Sequence, residues 1–186
     1  MIYSNQTILL DKKTGTVAGT IPTALPNKVW LTDNYFFTVE NGSFYYINQN
    51  TLDKKVIDTG VSAVARVGGS FQYITKTNSG VVKNTFDVND FSIRRQLLVA
   101  TENGKSAPSN YTAVAIGADG KIVLFKTKGV GTDSFNGVRV YSAKGELVKE
   151  ISVAITSGIR GIYGPATENG TVEHVVIHTQ GDSYRS

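Results

Sequence analysis

The residues of this chain whose types could support chemistry are few and widely spaced. Its two histidines, His174 and His178, lie four positions apart in one predicted strand. Side chains at that spacing on a strand are separated by roughly 13 Å, which is too far for both to bind one metal ion. The chain has no cysteine, which excludes disulfides, thiolate metal ligands and thiol nucleophiles. We therefore expect no metal site and no cofactor.

Enzymatic catalysis has equally little support in the sequence. Glycoside hydrolysis needs two carboxylates about 5–10 Å apart, and the predicted inner strands supply only Asp33, at a strand end. There is no Gly-x-Ser-x-Gly elbow, and both histidines fall in one strand, which argues against a serine triad. We predict no catalytic residue and a protein that is not an enzyme. A hydrolase with an unrecognised site is the third-ranked hypothesis.

Basic and aromatic residues of the predicted inner strands are the candidate binding residues. Lys28, Arg66 and Arg160 could line one mouth of a central axis and bind a small anion or an acidic loop of a partner. Alternatively, their charged ends reach the solvent-exposed rim and have no ligand. Trp30 and Tyr163 could serve as stacking platforms for sugars, although they do not recur with the repeat described below.

Composition indicates that these residues are held by strands and tight turns. The chain has 186 residues, of which 40% are hydrophobic and 18% charged, with 19 glycines, nine tyrosines and eight phenylalanines. The net charge of +4 is spread along the chain, so we expect no nucleic-acid partner. No apolar run approaches the roughly 18–20 residues that span a bilayer, and the N-terminal residues do not form a signal peptide. We therefore predict synthesis in the cytoplasm and no membrane association.

Two kinds of strand–turn–strand unit alternate along the chain. The first, which we call the outer hairpin, has an apolar strand, a polar turn and a second, often basic strand, at residues 7–21, 43–57, 84–98 and 138–152. The second, the inner hairpin, covers residues 27–42, 61–81, 111–130 and 158–179. Strong turn signals mark the inner hairpins, namely Asp33-Asn34, Gly68-Gly69, Asp119-Gly120 and Asn169-Gly170.

Pairing each inner hairpin with the following outer hairpin predicts the fold. It gives blades at 27–57, 61–98 and 111–152, and leaves 158–179 without an outer hairpin and 7–21 without an inner one. Joining these two orphans completes a fourth blade from both ends of the chain. We therefore predict an all-β fold in which residues 1–186 form a single small β-propeller of four four-stranded blades, the last closed by N-terminal strands. A β-sandwich is the alternative.

Two segments resemble known propeller repeats. Residues 119–151 (DGKIVLFKTKGVGTDSFNGVRVYSAKGELVKEI) resemble the repeats of NHL-type propellers, and residues 9–17 (LLDKKTGTV) are similar to the corresponding turn of quinoprotein-type blades. The resemblance implies a propeller fold. It does not imply a function, because propellers include enzymes, lectins and scaffolds.

The function we predict is that of a non-enzymatic structural scaffold that makes protein–protein contacts. The cysteine-free, low-charge composition, rich in Thr, Asn and Gly, is typical of proteins built into large assemblies, such as bacteriophage particles. The partners would then be viral structural proteins, the chain would be a virion component, and an oligomer is compatible with this role. The alternative is a carbohydrate-binding propeller with a glycan ligand.

Overall fold

The computed structural model describes residues 6–11, 13–21, 29–100, 111–126, 137–152, 159–163 and 176–179. These residues form sixteen β-strands and contain no helix, so the predicted all-β class is confirmed. The chain divides into two compact units, residues 1–59 and 60–186, which we call the N-terminal and C-terminal units.

The N-terminal unit contains one two-stranded and one four-stranded antiparallel sheet. The two-stranded sheet is the N-terminal hairpin, formed by β1 (Thr7–Leu10) and β2 (Val17–Ile21). The four-stranded sheet, sheet I, consists of β3 (Val29–Leu31), β4 (Tyr35–Glu40), β5 (Ser43–Asn48) and β6 (Lys54–Asp58), in that order. Sheet I therefore joins a predicted inner hairpin to the outer hairpin that follows it.

The C-terminal unit repeats this arrangement twice. Sheet II consists of β7 (Val61–Val67), β8 (Ser70–Thr77), β9 (Gly80–Asp87) and β10 (Ile93–Ala100). Sheet III consists of β11 (Tyr111–Ile116), β12 (Ile122–Lys126), β13 (Gly137–Tyr141) and β14 (Leu147–Ser152). A second hairpin pairs β15 (Ile159–Tyr163) with β16 (Val176–Thr179). The first strands are neighbours, since β11 contacts both β7 and β15.

The turns of the outer hairpins share one design, which explains why the repeat is visible in the sequence. In three copies a side-chain oxygen of the first residue accepts the backbone N–H two residues later; these first residues are Asp11, Asn48 and Asp87. The N–H of the fifth residue then donates to the carbonyl of the first, and the fifth residue has a positive φ; these residues are Gly15, Leu52 and Phe91. Asp and Asn favour such turns because their side chains bond to the nearby backbone.

The middle strands are buried on consecutive positions, as strands covered on both faces are. In β12 the four residues Ile122 to Phe125 are at most 3% exposed, and in β8 Phe71, Tyr73 and Ile74 are fully buried. A cluster centred on Ile74, Val81, Ile122, Leu124 and Tyr141 joins sheets II and III. A second cluster, Ile21, Phe36, Tyr45 and Ile47, joins the N-terminal hairpin to sheet I.

The closure of the propeller is not decided by these sheets. Within the described residues, β1 and β2 form one two-stranded sheet and β15 and β16 another. That 7–21 and 158–179 share a blade, and that residues 1–186 form one domain, remain predictions. The predicted turn at Asn169-Gly170 lies outside the described residues.

Candidate binding site

A pocket of about 920 Å³ lies at one end of the N-terminal unit. The N-terminal hairpin forms one side of the pocket, and β3 and the turns of sheet I form the other. Its lining residues are Thr7, Ile8, Leu10, Asp11, Ala18, Val29, Leu31, Thr32, Asp33, Phe36, Gln49 and Asn50. The volume falls in the range of pockets that bind small molecules.

The turns of sheet I that border the pocket are fixed to one another. The Thr32 hydroxyl donates to the Tyr35 carbonyl at 3.1 Å and accepts the Tyr35 N–H at 3.2 Å. The side-chain amide of Gln49 donates to the Thr32 carbonyl at 2.6 Å, and the Gln49 N–H donates to the Asn34 carbonyl at 2.9 Å. The turn between β3 and β4 is thereby tied to the turn between β5 and β6, which gives this side of the pocket a defined shape.

Aliphatic side chains that are open to solvent line the pocket. Ile8, Leu10 and Leu31 have exposed fractions of 53%, 62% and 60%. Phe36, at 7% exposure, belongs to the core cluster and forms the buried floor. An exposed Leu alone needs no explanation, but three large aliphatic side chains around one concavity form a contiguous apolar surface.

Two carboxylates, Asp11 and Asp33, also line the pocket. Asp11 Oδ1 accepts the N–H groups of Lys13 and Thr14, both at 2.8 Å, and the Thr14 hydroxyl at 3.1 Å. The hydrogen bond from the Thr14 N–H, followed by those from the Lys13 N–H and the Thr14 hydroxyl, lowers the pKa of the Asp11 carboxyl below its usual value. Asp11 is therefore a fixed anion at neutral pH.

Two further charged residues on this face of sheet I, Lys54 and Glu40, neutralise each other. Lys54 is the one cation that the described residues place on this face, and its Nζ lies 3.2 Å from Glu40 Oε2. The Tyr45 hydroxyl donates to the same oxygen at 3.0 Å, and Lys54 Nζ lies 3.8 Å from the centre of the Tyr45 ring. These hydrogen bonds, first that from Tyr45 and then that from Lys54, lower the pKa of Glu40. Lys54 is thus committed to Glu40 and is not part of the pocket lining.

Asp11 is unsuited to act as a general acid. A glycosidase needs a carboxyl with a raised pKa for that role, whereas the pKa of Asp11 is lowered. No group of three or more His, Cys, Asp or Glu side chains that could hold a metal ion occurs in the part of the chain that the structure describes. No helix among these residues is long and apolar enough to cross a bilayer.

The binding residues predicted from the sequence are not gathered in this pocket. Trp30 lies in β3 between the pocket-lining Val29 and Leu31, so it is on the opposite face of the sheet, paired with Phe37. Arg66 is an exposed residue of β7 in the C-terminal unit. Arg160 and Tyr163 lie in β15, and Lys28 lies outside the described residues. A role for these five residues remains a prediction.

The sequence pointed to one residue of the pocket and missed the others. Asp33, singled out as a carboxylate at a strand end, does line the pocket. Asp11 was hidden because Asp is also the ordinary first residue of an outer-hairpin turn. Ile8 and Leu10 belong to an apolar run of the kind that predicts a buried strand, and no sequence signal marks them as exposed.

Comparison with solved structures identifies the fold. Hsv2 from Kluyveromyces lactis aligns with a TM-score of 0.51 and 13% identity over 83% of this chain and 48% of that chain. A structure of the same protein with complete loop 6CD aligns with a TM-score of 0.55 and 14% identity over 86% and 48%. The N-terminal domain of Nup159 aligns at a TM-score of 0.46, with 10% identity over 78% and 37%, and carries no weight. This chain spans about half the length of the Hsv2 structures.

These likenesses confirm the predicted β-propeller fold, because Hsv2 is a β-propeller, and they disfavour the β-sandwich. At such low identity they show the fold alone. No protein-family model matches the chain, and no curated protein matches it in sequence. The specific likeness to NHL-type and quinoprotein-type repeats therefore stays a prediction.

Proposed function

We propose that this chain is a non-enzymatic protein-interaction module that binds a segment of a partner protein in the pocket of its N-terminal unit. The observation that carries the proposal is the exposure of Ile8, Leu10 and Leu31 around one concavity. Burial of these apolar side chains by a partner would be favourable by about 25 cal/mol for each Å² of apolar surface removed from water. A contiguous apolar surface with a polar rim is typical of a protein-binding site.

The edge strands offer a second, weaker contact surface. The fourth strands of the sheets, β6, β10 and β14, expose Val56, Leu97, Leu147, Val148 and Ile151. An edge strand can pair with an extended segment of another chain, and basic residues such as Lys55, Arg94 and Lys149 oppose unspecific pairing. These strands support a scaffold role, and the pocket gives that role a defined site.

A charge placed among the aliphatic side chains tests the proposal. Leu31→Glu should lower recovery of the partner from native lysate by at least about tenfold, because burying an unpaired carboxylate costs more than about 1.4 kcal/mol. Asn78→Glu, at an exposed turn of the C-terminal unit, is the matched control and should leave recovery near that of the unchanged chain. Affinity purification with quantitative mass spectrometry, and photo-crosslinking from position 31, measure both. Equal recovery with Leu31→Glu, or strictly monomeric behaviour in native lysate, would refute the proposal.

The partner that we propose belongs to a large assembly such as a bacteriophage particle. Composition supports this step: the chain lacks cysteine, carries 18% charged residues and contains 19 glycines. Mass spectrometry of purified particles should detect the chain in a fixed ratio to the major structural proteins. Its absence from every particle fraction would contradict the proposal that the partner belongs to such an assembly. It would not contradict the proposal that the pocket binds a partner protein.

Carbohydrate binding is the alternative, with less support. Sugar sites usually present an open aromatic face, but Phe36 is the one aromatic residue that lines the described pocket, and it is buried. Trp30 lies on the opposite face of β3. A glycan array decides this alternative, since binding that is lost in Trp30→Ala would favour a lectin. A hydrolase remains third, and an activity abolished by Asp33→Ala would revive it.

A further inference from the structure

The charged residues in the described lining of the pocket are all acidic. Of the twelve described residues that line it, Asp11 and Asp33 are acidic and none is Lys, Arg or His. The nearest cation on the same face of sheet I, Lys54, is already paired with Glu40 at 3.2 Å. Two carboxylates therefore share a pocket whose described lining supplies no counter-charge.

Both carboxylates have oxygens available for a ligand. All three hydrogen bonds to Asp11 go to Oδ1, and among the described residues Oδ2 accepts none. The Asp33 side chain makes no hydrogen bond or ion pair within the same set of residues, and it lies on a turn held in place through Thr32 and Gln49. Asp11 is likewise held by its own turn. The Asp11 carboxylate is thus held by its turn, whereas Asp33 has only its turn backbone held, and no described cation pairs with either of them.

The aliphatic surroundings decide what kind of cation fits. A metal ion needs a larger set of ligands than two carboxylates, and no group of three or more His, Cys, Asp or Glu side chains that could hold one occurs among the described residues. A sugar would need an open aromatic face, and the described lining offers only the buried Phe36. A basic side chain has both of the required parts, because its charged end pairs with carboxylates while its methylene stem covers aliphatic surface such as that of Leu10 and Leu31.

We propose that the pocket binds a segment of a partner protein in which a Lys or Arg is flanked by aliphatic residues. The aliphatic residues would cover Ile8, Leu10 and Leu31, and the basic group would lie between Asp11 and Asp33. The inference rests on the proposed function, whose partner it specifies. Because both carboxylates are exposed, the apolar contacts supply most of the affinity and the charges supply the selectivity.

Selection from a displayed library of random twelve-residue peptides, with the full chain as bait, tests the inference. We expect the enriched peptides to contain Lys or Arg beside Leu, Ile or Val. Fluorescence polarisation with the best synthetic peptide should show a loss of affinity of about tenfold in Asp11→Asn/Asp33→Asn, since each exposed ion pair contributes only modestly. The Asn at position 11 can still accept the turn hydrogen bonds, so the variant keeps its fold. Asp90→Asn, at an exposed turn of the C-terminal unit, is the control and should bind unchanged.

The outcomes separate this inference from the proposal on which it rests. Enriched peptides without basic residues, whose binding is lost in Leu31→Glu but not in Asp11→Asn/Asp33→Asn, would overturn the inference and leave the protein-binding pocket standing. Peptides unaffected by either change would overturn both. Affinity that falls with added salt in the unchanged chain, but not in the double variant, would support the role of the two carboxylates.

Discussion

Two apolar runs of this chain look alike in sequence and have opposite environments. Ile8 and Leu10 of β1 are 53% and 62% exposed, whereas Ile122 and Leu124 of β12 are fully buried. β12 is hydrogen-bonded on both sides, to β11 and β13, and packs against sheet II, whereas among the described residues β1 pairs only with β2. The difference shows that neighbouring sheets, and not the run itself, decide whether such residues become core or contact surface.

The space beside each run is also filled differently. In the C-terminal unit Lys83, 6% exposed, extends from β9 to sheet III, where its Nζ donates to the Ala143 carbonyl. Gly120, in the turn between β11 and β12, leaves room for Gln72 and Ala143, which an added Cβ would meet at 3.3 and 3.0 Å. The corresponding end of the N-terminal unit is left open as the pocket. One end is therefore filled by side chains of the same unit, and the other keeps an open cavity.

Truncating one leucine in each run should give the largest difference in the free energy of unfolding between the two regions. Leu124→Ala leaves a cavity in a fully buried cluster and should lower the free energy of unfolding by about 3–4 kcal/mol. Leu10→Ala removes the same atoms from an exposed site and should cost less than about 0.5 kcal/mol. Urea unfolding at constant m-value measures both. Similar losses for the two variants would mean that Leu10 belongs to a core.

Two glycines with positive φ provide the next contrast. At Gly80, where β9 begins with φ +138°, an added Cβ would lie 1.9 Å from the Val99 carbonyl oxygen of β10. Gly80→Ala must push the two strands apart and should cost about 3 kcal/mol. At Gly15, with φ +69°, a Cβ would meet nothing within 4 Å, so Gly15→Ala should cost only the backbone strain of about 1 kcal/mol. Thermal unfolding ranks them, and a larger loss for Gly15→Ala would contradict the open geometry of the N-terminal hairpin.

The same contrast explains how far sequence could predict this molecule. Inner-hairpin turns such as Asp119-Gly120 are set by local backbone chemistry, so strand order followed from them. The positive φ of Leu52 and Phe91 could not be predicted, because the outer-hairpin turn imposes on them a conformation that normally selects Gly. The pocket could not be predicted either, since the exposure of Ile8 depends on which sheets surround β1. Local turns are determined by neighbouring residues in the sequence, whereas the pocket depends on how the sheets pack around β1.

The buried Lys83 predicts a pH dependence of stability at the end of the C-terminal unit that Lys83 and Ala143 fill. Burial lowers the pKa of Lys83 below 10.5, so between its folded pKa and 10.5 the unfolded chain binds more protons than the folded chain. Its contribution to stability should therefore rise with pH across that window. The difference in unfolding free energy between the unchanged chain and Lys83→Met should increase as pH is raised toward 10.5. Lys144→Met, at an exposed turn, controls for the loss of one positive charge, and a difference that fell with pH would contradict burial of Lys83.

The smallest predicted effect is the pH dependence of the turn at Asp11, which lines the pocket. Because the hydrogen bonds from Thr14 and Lys13 favour its ionised form, the folded pKa lies below 3.8. The stabilisation of the turn is therefore fully present above the unfolded pKa and is lost as pH falls through the folded value. The amide proton shifts of Lys13 and Thr14 should titrate with a midpoint below 3.8, and Asp11→Asn should abolish that titration. A midpoint at or above 3.8 would mean that the Asp11 carboxylate is not held by its turn, and the pocket would then lose its one positioned carboxylate.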